Sequence, residues 1–315
     1  MLVDTGWFEL ENMRNPTASD LAVLRKNLGD TGALEAPSHW DPVVNPSVVQ
    51  QHPLNPGNKE RRSVENAFLS TLRPPHFQRN IEVIQVSRIQ NMAMWQSYVV
   101  KRQTICYRET GQIGLEDNDV HRKAIERFER KWLFHGSNYE VVDKILQQGF
   151  NRSFCGKNAT VYGKGVCFAR DAAYSAHSTY SVPDSRGRQY MMACRVVVGE
   201  YCKGKVSRVA ALHLHIPFCA RLSHMHTSCE PQQDALTPDI RDRRTQSLFD
   251  STVNNTSDPA IYVTYHDAQA YPEVGSGRDG IVLFCSPNNT GFSRSVPYYV
   301  QDFVKCLHVT TCLSP

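Results

Sequence analysis

An α+β fold with a mostly antiparallel sheet is what this 315-residue sequence predicts, and three observations carry the prediction. β-Branched and aromatic residues gather in short runs bounded by turn-forming residues, which reads as short strands. Stretches with helical apolar spacing are scattered among those runs, the pattern of helices laid against an antiparallel sheet. Apolar residues make up 41% of the chain and aromatic ones 10%, enough to bury a sizeable core.

Residues 1–36 show weak periodicity, with a short helix predicted over 20–28 where Leu21, Val23 and Leu24 cluster. Residues 42–60 hold Pro42, Pro46, Pro53 and Pro56 and read as a loop or linker. Val64, Phe68 and Leu72 recur at helical spacing, and Pro74-Pro75 ends that helix. The β-branched stretch 81–89 predicts one strand, and 91–101 a helix with Met92, Trp95 and Val99 on one face. A charged, exposed helix is predicted over 119–130, then a short apolar strand over 131–134. Ser137-Asn138-Tyr139-Glu140 has the form of a capping box. The helix it opens would bury Val141, Val142, Ile145 and Leu146 and stop at Gly149. Further strands are expected at 165–169, 189–199 and 260–265, with a helix from Asp171 to about His177. Two stretches, 206–246 and 274–315, break this order, and no internal repeat is visible.

The length suits one large domain or two small ones. Lys plus Arg exceed Asp plus Glu by 35 − 31 = 4, which does not indicate nucleic acid. No stretch approaches the ~20 apolar residues of a membrane helix, and residues 1–14 lack the apolar core of a secretory leader. A soluble intracellular protein with no membrane partner is therefore expected. The ten cysteines include no C-x2-C pair, so they are read as reduced structural thiols rather than zinc ligands. His213, His215, His224 and His226 form two H-x-H pairs, but no Cys or carboxylate completes a metal pattern and a polar loop is the better reading. Gly275-x-Gly277-x-x-Gly280 matches the dinucleotide fingerprint in letters only. Strand-like residues follow it, where the motif needs a helix N-terminus to hold a pyrophosphate.

His135-Gly136 ends an apolar strand just before a capped helix, an edge where polar groups act and where a glycine lets a ligand approach the backbone. A strand-end histidine taken alone is more often structural. Tyr162-Gly163-Lys164-Gly165 has two glycines and a lysine able to cradle a phosphate; a tight turn before a strand is the simpler reading of the tetrapeptide.

Together these residues resemble the PARP family of ADP-ribosyltransferases, closest to the mono-transferring members that carry macro domains elsewhere. The resemblance rests on Leu133-Phe134-His135-Gly136, Gly149-Phe150-Asn151-Arg152-Ser153, Gly156-Lys157-Asn158 and Tyr162-Gly163-Lys164-Gly165, in that order. It is reinforced by Ser175-Ala176 with Thr179-Tyr180-Ser181, by Pro183-Asp184 with Gly187-Arg188, and by Ala270-Tyr271-Pro272-Glu273. Arg88-Ile89-Gln90-Asn91 and Trp95-Gln96-Ser97-Tyr98 fit upstream. The similarity runs over roughly 38–273, interrupted near 206–245.

The resemblance implies the ADP-ribosyltransferase fold, two mostly antiparallel half-sheets around an NAD cleft with flanking helices. It implies NAD as substrate, no metal, acceptor proteins with the chain itself among them, and a nuclear or cytoplasmic location. Gly136 and Ser175 would hold the nicotinamide amide, Tyr180 would stack on the ring, and His135 would bond the adenosine ribose. Ser137, Asn151, Arg152, Tyr162 and Tyr174 complete the expected NAD-binding set. The family's catalytic motif, His-Tyr-x, falls on His135, Cys167 and Gly275: the tyrosine is replaced by a thiol. The third position holds neither the glutamate of polymer-forming members nor the apolar residue of mono-transferring ones.

The expected division is an unassigned segment 1–37, a catalytic domain 38–285 with an atypical insertion at 206–245, and a divergent tail 286–315. Residues 206–245 and 274–315 lose both periodicity and family pattern, and they are read as divergent or mis-spliced sequence, which transcript reads across both junctions would test. The predicted function is mono-ADP-ribosyl transfer from NAD to protein side chains with release of nicotinamide. The alternative, suggested by Cys167 and Gly275, is a pseudoenzyme that keeps the fold as an NAD-binding or interaction module.

Overall fold

The computed structural model describes residues 34–43, 45–72, 81–110, 119–151, 162–204, 238–243, 247–275 and 282–285. The helix expected over 20–28, Arg152, the four histidines of 213–226 and the tail beyond 285 lie outside the described residues.

The fold is α+β, built among the described residues on an 11-stranded and mostly antiparallel sheet. Its spine is β6 (Arg188–Val197), which pairs along one edge with β4 (Glu129–Ser137) and along the other with β12 (Ala270–Gly275) and β13 (Val282–Cys285). Outward from β12 come β3 (Ser87–Gln90) and β1 (Gln50–Pro53), while β2 (Ile81–Val83) pairs with β13. On the far side of β4 lie β5 (Val166–Ala169), β11 (Ile261–Thr264), β10 (Ser251–Val253) and β7 (Tyr201–Lys203). A separate pair, β8 (Ile240–Asp242) and β9 (Ser247–Leu248), stands apart from the large sheet.

β6 is apolar on both faces because both are covered. Tyr190, Met192, Cys194 and Val196 pack with Val142, Ile145 and Leu146 of helix α4 (Tyr139–Gln148). Met191 and Ala193 pack oppositely with Val64 and Phe68 of α1 (Lys59–Ser70) and with Ala172 of the short helix α5 (Ala172–Ser175). A third cluster joins Trp40 to Trp95, Tyr98 and Ile105 of α2 (Met92–Thr110), to Ala124 and Phe128 of α3 (Asp119–Phe128), and to Tyr271.

Several sequence expectations need correction. Residues 42–60 are not all loop: Gln50–Pro53 pairs with β3, and α1 already begins at Lys59. Residues 81–89 form two strands rather than one. The helix over 119–128 is not exposed throughout, since His121, Ala124 and Phe128 are buried. The N-cap of α4 is Asn138, whose side chain accepts from the Val141 N–H at 2.9 Å, and Ser137 instead ends β4. Gly149 does stop α4, at φ +83°. The described part of 274–315 is built into the sheet, with Val274 buried opposite Ala193 and β13 paired with both β6 and β2.

Candidate active site

The sheet parts at one place. β4 and β5 pair only at Phe134↔Ala169, after which His135, Gly136 and Ser137 continue along β6 opposite Met192, Met191 and Tyr190. The sheet thus divides into two half-sheets that share one residue pair, and His135 and Gly136 stand at the lip of the gap. A bulge between Lys131 and Leu133, where Trp132 adopts φ +59°, sets the phase of the strand that delivers them.

His135 bridges the gap. Its Nδ1 lies 2.8 Å from the Cys167 carbonyl oxygen. A carbonyl only accepts, so Nδ1 carries the proton and Nε2 keeps a lone pair. The ring packs edge-on against Phe150 at 5.4 Å and near Phe168 at 5.6 Å. Burial lowers its pKa from the ordinary 6.5, against an opposing effect of the bond to Cys167, so the neutral acceptor form is favoured at neutral pH.

Gly136 is glycine for a steric reason. A Cβ there would run into the Ser175 carbonyl oxygen and lie 3.2 Å from the Ser181 Cβ. The segment after α5 therefore crosses directly over β4. It is pinned from several sides. Ser175 Oγ donates to the Phe134 carbonyl at 2.8 Å, Ser181 Oγ donates to the Tyr190 carbonyl at 2.9 Å, and Gln189 Nε2 donates to the carbonyls of Ala176 (2.8 Å) and Ser181 (2.6 Å). In the sequence Ser181 stands only as part of a motif and Gln189 only as the start of a strand, with no role for either. A buried glutamine near the start of an apolar strand was the available signal.

Along β5, Val166 and Phe168 enter the main core, whereas Cys167 and Ala169 face the other way, toward Tyr174 and Tyr180. Position 167 thus looks onto the same small cluster as Tyr180. Cys167 is in the thiol form, as are Cys106, Cys194 and Cys202. Tyr162 packs at the edge of the cluster. The neighbouring glycines serve packing: a Cβ on Gly163, at φ +142°, would strike the Tyr265 hydroxyl, and one on Gly165 the Thr264 carbonyl. Lys164 is exposed, and Asn151 is exposed just beyond α4.

The Tyr-Pro-Glu motif is structural. Tyr271 is fully buried, donates to the Ile89 carbonyl at 2.8 Å and accepts from the Asn91 N–H at 3.2 Å. Glu273 is held by Arg195 at 2.8 Å. Gly275, the third motif position, follows as the last residue of β12, opposite Ser87 of β3.

Comparison with known proteins agrees with this architecture. The sequence profile described as the poly(ADP-ribose) polymerase catalytic domain matches residues 58–274. The chain is 31% identical over 242 residues to human protein mono-ADP-ribosyltransferase PARP14, covering 76% of this chain and 11% of that protein. It is 32% identical over 243 residues to mouse protein mono-ADP-ribosyltransferase PARP12, covering 77% of this chain and 27% of the relative. Against human protein mono-ADP-ribosyltransferase PARP11 it is 25% identical over 258 residues, 76% of this chain and 62% of the relative. The chain thus spans less than two thirds of each of these relatives. A match across more than half of the sequence, over a sheet that parts at His135-Gly136, places this chain in the poly(ADP-ribose) polymerase catalytic-domain family.

Proposed function

We propose that this chain transfers a single ADP-ribose from NAD to a protein side chain and releases nicotinamide. The observation that carries the reading is the close crossing of the Ser175 segment over Gly136 at the lip of the parted sheet. That crossing lays the Ser175 backbone and the Ser181 Cβ against Gly136; on the family reading the Gly136 backbone and the Ser175 hydroxyl would take the amide of nicotinamide and Tyr180 its ring. His135, neutral with its Nε2 lone pair free of the Cys167 bond, is suited to accept from a ribose hydroxyl.

In the reaction the C1′–N bond of NAD breaks and its electron pair neutralises the pyridinium as nicotinamide leaves. The oxocarbenium-like C1′ is captured by an acceptor nucleophile, which gives up its proton. Holding the amide and ring orients the leaving group. Single transfer is supported by the carboxylate census on β12. Gly275 has no side chain, and Glu273 is tied to Arg195, so neither offers a carboxylate to a ribose acceptor.

The same reading takes residues 38–285 as the catalytic unit. Trp40 packs on Trp95 and Tyr271, and β13 pairs with the central strand.

Intact mass of the purified chain after incubation with NAD, beside His135→Ala, tests the reaction. One or a few discrete ADP-ribose additions, absent from a folded variant, are expected. A long ladder of additions would overturn single transfer. A folded but unmodified chain that still binds NAD would leave a binding module without turnover.

A further inference from the structure

Tyr174 is a buried residue in the last turn of α5, and Tyr180 lies six residues on, just before Ser181. Their rings stack on each other, with centroids 4.8 Å apart and planes 23° from parallel. The Tyr180 hydroxyl donates to the Tyr174 hydroxyl at 2.8 Å. Tyr174 is 7% exposed whereas Tyr180 is half-buried. Cys167 and Ala169 belong to the same cluster.

A planar ligand between the two rings would need about 3.5–4.0 Å on each side, so roughly 7 Å in all. The 4.8 Å separation closes that space. One face of Tyr180 is therefore already taken, which leaves only the other for a ligand ring. A clamp formed by two aromatic walls fixes a ring by squeezing it. Cys167 is too small to act as the second wall, so the tilt of Tyr180 has to be fixed from behind.

We propose that Tyr174 is the positioning residue for Tyr180. It holds the ring plane through face contact and the hydroxyl bond, so that Tyr180 presents a single preset face to nicotinamide. The proposal rests on the NAD reading of the cleft. It assigns Tyr174 no contact with the substrate, which moves it out of the NAD-binding set that the sequence suggested.

The test is a double-mutant cycle of Tyr174→Phe and Tyr180→Phe, read by titrating nicotinamide and, separately, NAD, with melting scans to establish folding. Both variants keep both rings and delete the same hydrogen bond from opposite ends. Each single variant is expected to weaken nicotinamide binding about three- to tenfold. The double variant is expected to be no weaker than the weaker single one, because the two substitutions remove one shared interaction. NAD turnover, where measured, is expected to show the change in KM with a smaller change in kcat. Additive losses, or nicotinamide affinity untouched by Tyr174→Phe, would overturn the positioning role and leave the NAD reading standing. Failure of the unaltered, folded chain to bind either nicotinamide or NAD would overturn both.

Discussion

A single methyl group on Gly136 would occupy the place of the Ser175 carbonyl. Gly136→Ala is therefore expected to destabilise the chain by about 1–3 kcal/mol through overpacking. It should also abolish NAD-dependent modification by lifting the Ser175 segment off β4; a urea melt and an intact-mass assay check the two effects. His135 makes a pH prediction whose sign follows from its lowered pKa. In the interval between its folded value and 6.5, the unfolded chain binds the extra proton and the folded chain does not, so stability rises with pH. The contribution is complete above 6.5 and is lost as pH falls through that value toward the folded pKa. His39 and His177 are shifted the same way by burial, so the comparison must be with His135→Gln. Melting temperature below pH 6.5 is expected to fall more steeply in the unaltered chain than in that variant.

At the scale of the element, β6 and its neighbours are locked by charge as well as by apolar packing. Arg195 on β6 bonds Glu273 on β12 at 2.8 Å and Glu129 on β4 at 3.0 Å, and Arg102 of α2 reaches Glu129 at 3.4 Å. Both carboxylates are only 6% exposed in their side chains. Arg195→Met would leave them without their shared partner in a poorly solvated place, at an expected cost of about 3 kcal/mol. Arg195 is itself one-fifth exposed, so water moderates the loss. Arg195→Met paired with Glu273→Gln is expected to recover part of the stability, measured by denaturant titration of the single and double variants. This network accounts for the Glu of Tyr-Pro-Glu without any role in the cleft. It also shows why a motif that helps to recognise the family need not belong to its chemistry.

For the whole molecule, the governing feature is the way one long sheet parts between β4 and β5 while β6 holds the remaining strands together. β12 and β13 share one edge of β6, Val274 opposite Ala193 and Val282 opposite Tyr190. Ending the chain after Cys285 is expected to leave melting temperature and NAD binding intact. Ending it after Gly275 would unpair β2 and bare one edge of residues 188–190 of β6 and lower both, a comparison that also tests the 38–285 boundary. The sequence by itself determined the α+β class, the helices over α1, α2 and α4 and the strands around His135, Cys167 and Met192, because apolar period and chain-stop residues such as Gly149 are local properties. It also ordered the motifs that mark the family. Strand pairing is not local. The split of 81–89 into two strands, the strand within the proline-rich 42–60 stretch and the edge position of β13 depend on partners far away in the chain. Only the tertiary structure decided that Gly136 is required by the Ser175 backbone, that His135 joins the two half-sheets, and that Tyr180 already leans on Tyr174. Each of these is a contact between segments brought together by packing, where distances of a few ångströms, rather than residue type, set what a group can do.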